Sequence, residues 1–265
     1  MFDRFNRAIT YLRISVTDKC NLRCIYCMPP DGVPPRHHRD FLSFEQMTDV
    51  ARAAVRIGVS KIRLTGGEPL VKRDIVTLVR MLAGIEGLEH LAMTTNGTLL
   101  SRFARPIREA GLDSLNVSLD TLDGERYRLL TRGGRIQEAL AGIGAARREG
   151  LPVKINMVVL EDTQPKEIER MRRFCAETGL LLQLINHFDL GRRDSHSYGF
   201  DRPPSCANCN RIRLMADGML KPCLHSDLEV PLDFSRLEES ISEAVLAKPQ
   251  RGGTCRNRAM SQIGG

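Results

Sequence analysis

The 265-residue chain has no run of about eighteen apolar residues, the length a membrane-spanning helix needs. Its start, Met1-Phe-Asp-Arg-Phe-Asn-Arg7, has no apolar core of a secretory signal, so a cytoplasmic protein is expected. Long blocks of Lys or Arg are also missing, although the formal charge is +7. Basic residues spread in this way read either as a solvated surface or as an attraction for a polyanionic substrate such as a nucleoside triphosphate. No RNA-binding motif argues for nucleic acid. There is no short internal repeat and no low-complexity tract. What remains, 42% hydrophobic and 27% charged residues, is ordinary for a globular chain with a substantial core.

Without a secretory signal, eight cysteines point to metal or redox chemistry rather than disulfides. Six fall in two groups, Cys20, Cys24, Cys27 and Cys206, Cys209, Cys223. Cys175 lies in a helical stretch and reads as a small core residue; Cys255 has no evident place. The first group follows an apolar strand, and three thiolates on one short loop can hold three corners of an iron–sulfur cubane. Such a cluster normally takes four thiolates, so one iron would stay open for a small molecule. Zinc is the other metal to weigh, but a structural zinc wants four protein ligands. The nearest further candidates, His37 and His38, lie beyond Pro29, Pro30, Pro34 and Pro35.

Alternating patterns give six strand–helix units. Strands are expected at 10–15, 61–65, 91–93, 114–119, 153–159 and 181–185, with helices between them. Ser43 with Gln46 forms a capping box for the first helix. This alternation implies parallel strands with helical crossovers. The cysteine-rich tail begins too soon for a full eight-unit barrel. The expected fold is therefore α/β, six strand–helix units over 1–190 with a C-terminal region over 191–265. The cysteine loop, Gly66-Gly67-Glu68-Pro69, Thr94-Thr95-Asn96 and Ser118 all fall at C-terminal strand ends, where chemistry gathers in such folds. Gly66 and Gly67 would let backbone approach a ligand, and Glu68 could pair with an ammonium.

In the second group, Asp217-Gly218 between apolar runs signals a two-residue hairpin turn. That turn would set Cys223 opposite Ile212 and bring the thiolates together. Arg211 and Arg213, two apart, would project from one strand face. Zinc is a serious rival here, because Cys206, Cys209, Cys223 and His225 would complete a tetrahedral site.

The string CxxxCxxC with Tyr26 before its last cysteine resembles the signature of radical S-adenosylmethionine (SAM) enzymes. The wider stretch from Leu12 to Pro29, LRISVTDKCNLRCIYCMP, resembles the GTP 3′,8-cyclases of molybdenum cofactor biosynthesis. The resemblance implies that the six units form a partial (βα)6 TIM-like barrel, with two [4Fe-4S] clusters, the second on the C-terminal extension at Cys206, Cys209 and Cys223, and SAM bound at the first. It implies SAM contacts from Gly66, Gly67 and Glu68, with Ser118, Thr95, Asn156 and Tyr26 close to the same cofactor. Arg13, Lys61, Arg63, Lys154, Arg211 and Arg213 match basic positions near the nucleotide. Gly264-Gly265 matches a double-glycine tail that reaches into the active site, and with Arg13, Arg211 and Arg213 makes up the expected catalytic set.

The implied partners are GTP or a related small molecule, a one-electron donor such as flavodoxin or ferredoxin, and the next enzyme of the pterin pathway; a homodimer is compatible with the sequence. The chain departs from the cyclases in two places. Only fourteen residues separate Gly191 from Cys206, where the cyclases have several dozen more. Gln183 stands where they carry a cavity-lining arginine, and loss of a fixed cation is not a neutral change. Two other readings follow: a cyclase relative acting on another nucleotide, sugar or peptide, and a zinc-stabilised non-catalytic binding protein. Cys255 as a fourth ligand of the second cluster, closing its substrate position, is a further alternative.

Overall fold

A computed structural model describes residues 1–34, 36–187, 189–191 and 205–264. Most of the short 191–206 segment, and Gly265 of the expected tail, lie outside the described residues. Six parallel strands follow the expected order: β1 (Tyr11–Ser15), β2 (Lys61–Thr65), β3 (His90–Thr95), β4 (Ser114–Ser118), β5 (Val153–Val159) and β6 (Leu181–Asn186). The crossovers are α1 (Phe44–Arg56), α2 (Ile75–Ala83), α3 (Leu100–Glu109), the pair α4 (Gly124–Leu130) and α5 (Ile136–Arg148), and α6 (Pro165–Thr178). The capping box on α1 is complete. Gln46 N donates to Ser43 Oγ at 3.2 Å and Ser43 N donates to Gln46 Oε1 at 2.9 Å. Among the described residues, no helix is long and apolar enough to cross a membrane.

Side chains alternate along each strand. Ile62, Leu64, Leu91, Met93, Leu115, Val117, Ile155 and Met157 are buried in one hydrophobic core with α1 to α6, each such burial contributing about 1.5–3 kcal/mol. The alternate residues, including Arg13, Arg63, Asn116, Ser118, Lys154 and Asn156, occupy the opposite face. In an ordinary barrel branched apolar side chains fill that interior; here it is polar. Side chains from the ends of β2, β3, β4, β5 and β6 line one cavity, so the sheet curves around it.

The C-terminal region continues the same sheet. β7 (Arg211–Leu214) lies parallel beside β1, and β8 (Met219–Lys221) and β9 (Val230–Pro231) follow antiparallel. The sheet thus runs on past residue 190, the expected boundary between the two regions. The chain ends with α7 (Leu237–Leu246) and the short α8 (Met260–Ile263). The β7–β8 register corrects the expected hairpin: Arg213 faces Lys221 and Leu214 faces Leu220. Met215 N donates to Met219 O at 2.8 Å and Gly218 has φ +86°. Ala216, Asp217 and Gly218 therefore form a three-residue loop, with glycine in the left-handed position that such loops favour. Continuing that register sets Cys223 beside Arg211 instead of Ile212.

Candidate active site

Cys20, Cys24 and Cys27 line the cavity together with Gly66, Gly67, Glu68, Asn96, Ser118, Asn156 and Gly264; it encloses about 990 Å³, counting its open mouth. The loop is held by its own backbone and by Arg132. Cys27 N and Met28 N both donate to Cys24 O at 3.0 Å, and Arg132 Nη1 donates to the carbonyls of Arg23 and Met28 at 2.9 Å. Burial pushes the Cys27 thiol up to about 12, with help from Cys20 and Asp120. Cys24 is pushed up further, by burial and then by Asp120 and the other two sulfurs. Thiolates in such a place need a cationic partner, and metal loading releases their protons. Among the described residues no three His, Cys, Asp or Glu side chains gather closely enough for a single ion. Three thiols on one loop, lining one cavity with space beside them for a small molecule, suit three corners of a cluster.

Glu68 is buried at the end of β2. Its Oε1 accepts from Thr95 Oγ1 at 2.7 Å and from Leu70 N at 3.1 Å, and its Oε2 accepts from Asn96 N at 2.7 Å. Burial raises its pKa to about 7, against these hydrogen bonds, which lower it. The carboxylate is thus oriented by the protein and has no cationic partner among the described residues, a place that a ligand's ammonium can fill. Thr95 serves by holding Glu68. The two glycines line the cavity and also leave room for neighbouring backbone. A Cβ on Gly66, at φ +121°, would sit 2.2 Å from Thr17 O, and one on Gly67 2.2 Å from Lys19 O. Gly67 N and Glu68 N donate to those two carbonyls at 2.8 and 2.9 Å. The paired glycines therefore seat the glutamate turn on the start of the cysteine loop.

Tyr26 donates its hydroxyl to Asp120 Oδ2 at 2.5 Å, and Val158 N donates to Asp120 Oδ1 at 2.8 Å. Burial raises Asp120 to about 6 even though these bonds lower it. Ser118 and Asn156 line the cavity; Asn156 Oδ1 accepts from Asn116 and Gln183 at 3.2 Å each.

Across β2, β1 and β7 the register aligns Arg63, Arg13 and Arg213 in one row, with Lys61, Tyr11 and Arg211 in the row two residues earlier. Neighbouring strands lie about 4.8 Å apart, so three guanidinium-bearing residues crowd one face. Arg63 Nε donates to Tyr11 Oη at 2.5 Å. Lys61 Nζ and the Arg211 guanidinium lie 5.5 and 5.8 Å from the Tyr11 ring centre. Burial pulls Arg13 down to about 9; Tyr11 opposes this, and Arg213, Arg63 and Arg211 add to it. Arg213 falls to about 10, by burial first and then by Arg211. Its buried Nε has no hydrogen-bond partner among the described residues. Such a row is costly alone and is relieved by a polyanion. Lys154 lies on β5, paired in register with Asn116 and Leu181, away from the row.

Cys209 and Cys223 share two cations, Lys248 and Arg213. Burial raises both thiols, yet Lys248, the Arg211 backbone and Arg213 bring Cys209 below its ordinary value, while Cys223 stays raised. Lys248 Nζ also donates to Arg211 O at 2.8 Å and Pro222 O at 2.7 Å. Cys206 starts the turn that leads to Cys209, and Arg7 Nη1 donates to its carbonyl at 2.8 Å. Cys255 is buried with Leu190, Met215, Leu224 and Ile263, and its Sγ is 3.3 Å from Asn257 Oδ1. It fills a core position, as Cys175 does on α6. At the chain end, Arg13 Nη2 donates to Gly264 O at 3.1 Å and Ser15 Oγ donates to Gln262 O at 2.8 Å. Gly264 has φ +71°, and a Cβ there would meet Thr65 Oγ1 at 2.3 Å.

A family model of the radical SAM superfamily matches residues 14–175. The chain belongs to that superfamily. It also belongs to the GTP 3′,8-cyclase family within it. The GTP 3′,8-cyclases of Alkaliphilus oremlandii and Moorella thermoacetica are 37% and 41% identical to it, each over all of both chains. That of Geobacter sulfurreducens is 38% identical over all of this chain and 99% of its own. The Alkaliphilus alignment spans 322 positions against 265 residues here, so 57 positions have no counterpart. The fold is shared with Streptococcus suis SuiB bound to S-adenosylmethionine (TM-score 0.69, 16% identity, 93% of this chain and 66% of that one). It is shared also with anSMEcpe with bound AdoMet (TM-score 0.67, 15% identity, 91% and 81%). SAM and a [4Fe-4S] cluster therefore belong to this protein's chemistry.

Tyr11, Asp120 and Lys248 lie outside the residues that sequence motifs single out. Tyr11 has a usable signal, since it lies two residues before Arg13 on one strand face. Asp120, just past a strand end, carries a weaker one. Asn96, whose backbone N holds Glu68 and whose Nδ2 lies 3.8 Å from Cys20 Sγ, belongs to a motif marked only by its place at a strand end. Lys248 lies in a stretch with no motif at all.

Proposed function

We propose that this chain is a GTP 3′,8-cyclase of molybdenum cofactor biosynthesis, converting GTP to (8S)-3′,8-cyclo-7,8-dihydroguanosine 5′-triphosphate. The observation that carries this reading is the Arg63–Arg13–Arg213 row beside the cysteine-lined cavity, a cationic face next to a radical source. Cys20, Cys24 and Cys27 would hold the cluster that, once reduced by a flavodoxin- or ferredoxin-type donor, supplies a 5′-deoxyadenosyl radical from SAM. Glu68 pairs with the SAM ammonium, Thr95 and Asn96 orient Glu68, and Tyr26, Ser118 and Asn156 line the rest of the cofactor space. Cys206, Cys209 and Cys223 would hold a second [4Fe-4S] cluster, which would supply a binding position for the purine. Arg211, Arg213, Arg13, Arg63 and Lys61 neutralise the phosphates, with Lys154 reaching in from β5. Positioning and exclusion of water are the protein's part of the work. The product passes to the next enzyme of the pterin pathway.

A second reading, a cyclase-like enzyme acting on another nucleotide, is favoured by one observation. Gln183 donates to Asn156 and contributes no charge where the cyclases place an arginine. Anaerobic reduction with SAM, with and without GTP, followed by mass spectrometry separates the two. The cyclase reading predicts GTP-dependent deoxyadenosine and a cyclised product; deoxyadenosine indifferent to GTP, with no cyclised product, would sink it.

A further inference from the structure

Arg258 stands at the root of the C-terminal tail and is held by two carboxylates. Its Nε and Nη2 donate to Glu229 Oε1 and Oε2 at 2.8 and 2.7 Å, and its Nη1 donates to Asp217 Oδ2 at 2.6 Å. The side chains of Arg258, Asp217 and Glu229 are only 12%, 9% and 11% exposed, so solvent screens this cluster weakly. The wholly buried Lys221 adds its ammonium to Glu229 Oε1 at 3.3 Å. The Asp217 oxygen that accepts from Arg258 also accepts from Arg36 Nη1 at 3.0 Å. Arg36 lies on the proline-rich stretch that follows Cys27.

Six residues beyond Arg258 the tail reaches the cationic row, where Gly264 O accepts from Arg13 Nη2. Little between root and tip can absorb a displacement. Residues 260–263 form a helical turn, Ile263 is buried beside Met215 and Leu224, and Gly264 N donates to Met260 O at 3.0 Å. A fork of two parallel N–H bonds fixes orientation as well as distance, and breaking a buried pair leaves an uncompensated charge.

We infer that Arg258 is a positioning residue: clamped by Glu229 and Asp217, it seats the Gly264 carbonyl on Arg13 and so fixes the guanidinium that faces the substrate. Asp217, holding Arg36 and Arg258 on one oxygen, ties this seating to the loop behind the cysteine triad. The inference rests on the reading of Arg13 as a nucleotide-binding residue.

The test compares wild type, Arg258→Met and Arg258→Lys as cluster-loaded proteins, by amide hydrogen exchange and by equilibrium binding of GTP and of SAM. In Arg258→Met the amides of Ile263 and Gly264 should exchange about tenfold faster or more, with β1 and β2 unchanged. GTP should bind about tenfold more weakly while SAM binding stays within about twofold. Lysine keeps the charge but loses the fork, so it should fall between. Should Arg258→Met fail to fold, Asp217→Asn, which keeps the Glu229 fork, is read the same way with smaller shifts expected. Unchanged tail exchange overturns the clamp. Faster tail exchange with unchanged GTP affinity overturns its link to Arg13. If wild type itself binds no GTP, the functional reading fails and the clamp stands or falls on the exchange alone.

Discussion

The two sides of the polar interior carry opposite charge. On the cavity side of the cysteine loop stand two carboxylates, Glu68 and Asp120, raised by burial to about 7 and about 6. Across β2, β1 and β7 stand guanidiniums, with Arg13 and Arg213 pulled down by burial and by one another. Each side is strained towards its neutral form, and each is relieved by a ligand of opposite charge. A cofactor with an ammonium suits the first and a polyanion suits the second. Reversed binding would place like charges together in a poorly solvated space, which costs several kcal/mol. The separation can therefore sort two small molecules before either reacts. The thiol groups differ in the same sense, since Lys248 and Arg213 stand beside Cys209 and Cys223 while Asp120 stands beside Cys24 and Cys27.

Substitutions that touch one side only should break the comparison cleanly. The largest effect is expected from Cys24→Ala, which should reduce SAM cleavage to background, read as deoxyadenosine by chromatography, while nucleotide affinity is retained. Next come Arg211→Ala and Arg213→Ala. Each should weaken GTP binding by about 10- to 100-fold, the worth of lost charge-assisted hydrogen bonds, with iron content and SAM affinity unchanged. Unaltered GTP affinity would remove that arginine from the site.

The smallest effect is a pH dependence. Only ionised Glu68 attracts an ammonium, and its pKa in the fold is about 7 against an ordinary 4.5. SAM affinity should therefore rise about tenfold between pH 6 and pH 8 as the carboxylate forms, and Glu68→Gln should flatten that rise. The stability sign is opposite. Burial favours the neutral acid, so in SAM-free protein its contribution is full below about 4.5 and is lost as pH rises through about 7. Calorimetric titration and thermal melts across this range check both.

Much of this arrangement is legible in the amino-acid sequence. The strands from Lys61 to Thr65 and from Val153 to Val159 can be bounded to the residue, because alternation and flanking turn residues agree there. The cysteine spacing and Gly66-Gly67-Glu68 mark the cofactor side because short motifs at strand ends bring their residues together. The cationic row is harder to see. Arg13 and Arg63 meet through the β1–β2 pair, but Arg213 joins them only because β7 returns to pair with β1, which no local pattern shows. The expected hairpin is off by one residue because Asp217-Gly218 serves a two- or a three-residue loop equally well, and Met215–Met219 pairing decides between them. Lys248 and Arg258 leave no local trace for a similar reason: their partners, Pro222 O and Glu229 Oε1, are backbone or long-range groups.

A radical born at the cysteine loop should act on a nucleotide held by the arginine row. GTP carrying deuterium at the ribose 3′ position tests this directly, in an anaerobic reaction with SAM and a chemical reductant. Deuterium should appear in the deoxyadenosine, and Arg213→Ala should lower that transfer at limiting nucleotide. Deoxyadenosine formed without deuterium, from wild-type protein shown to bind GTP, would contradict the account.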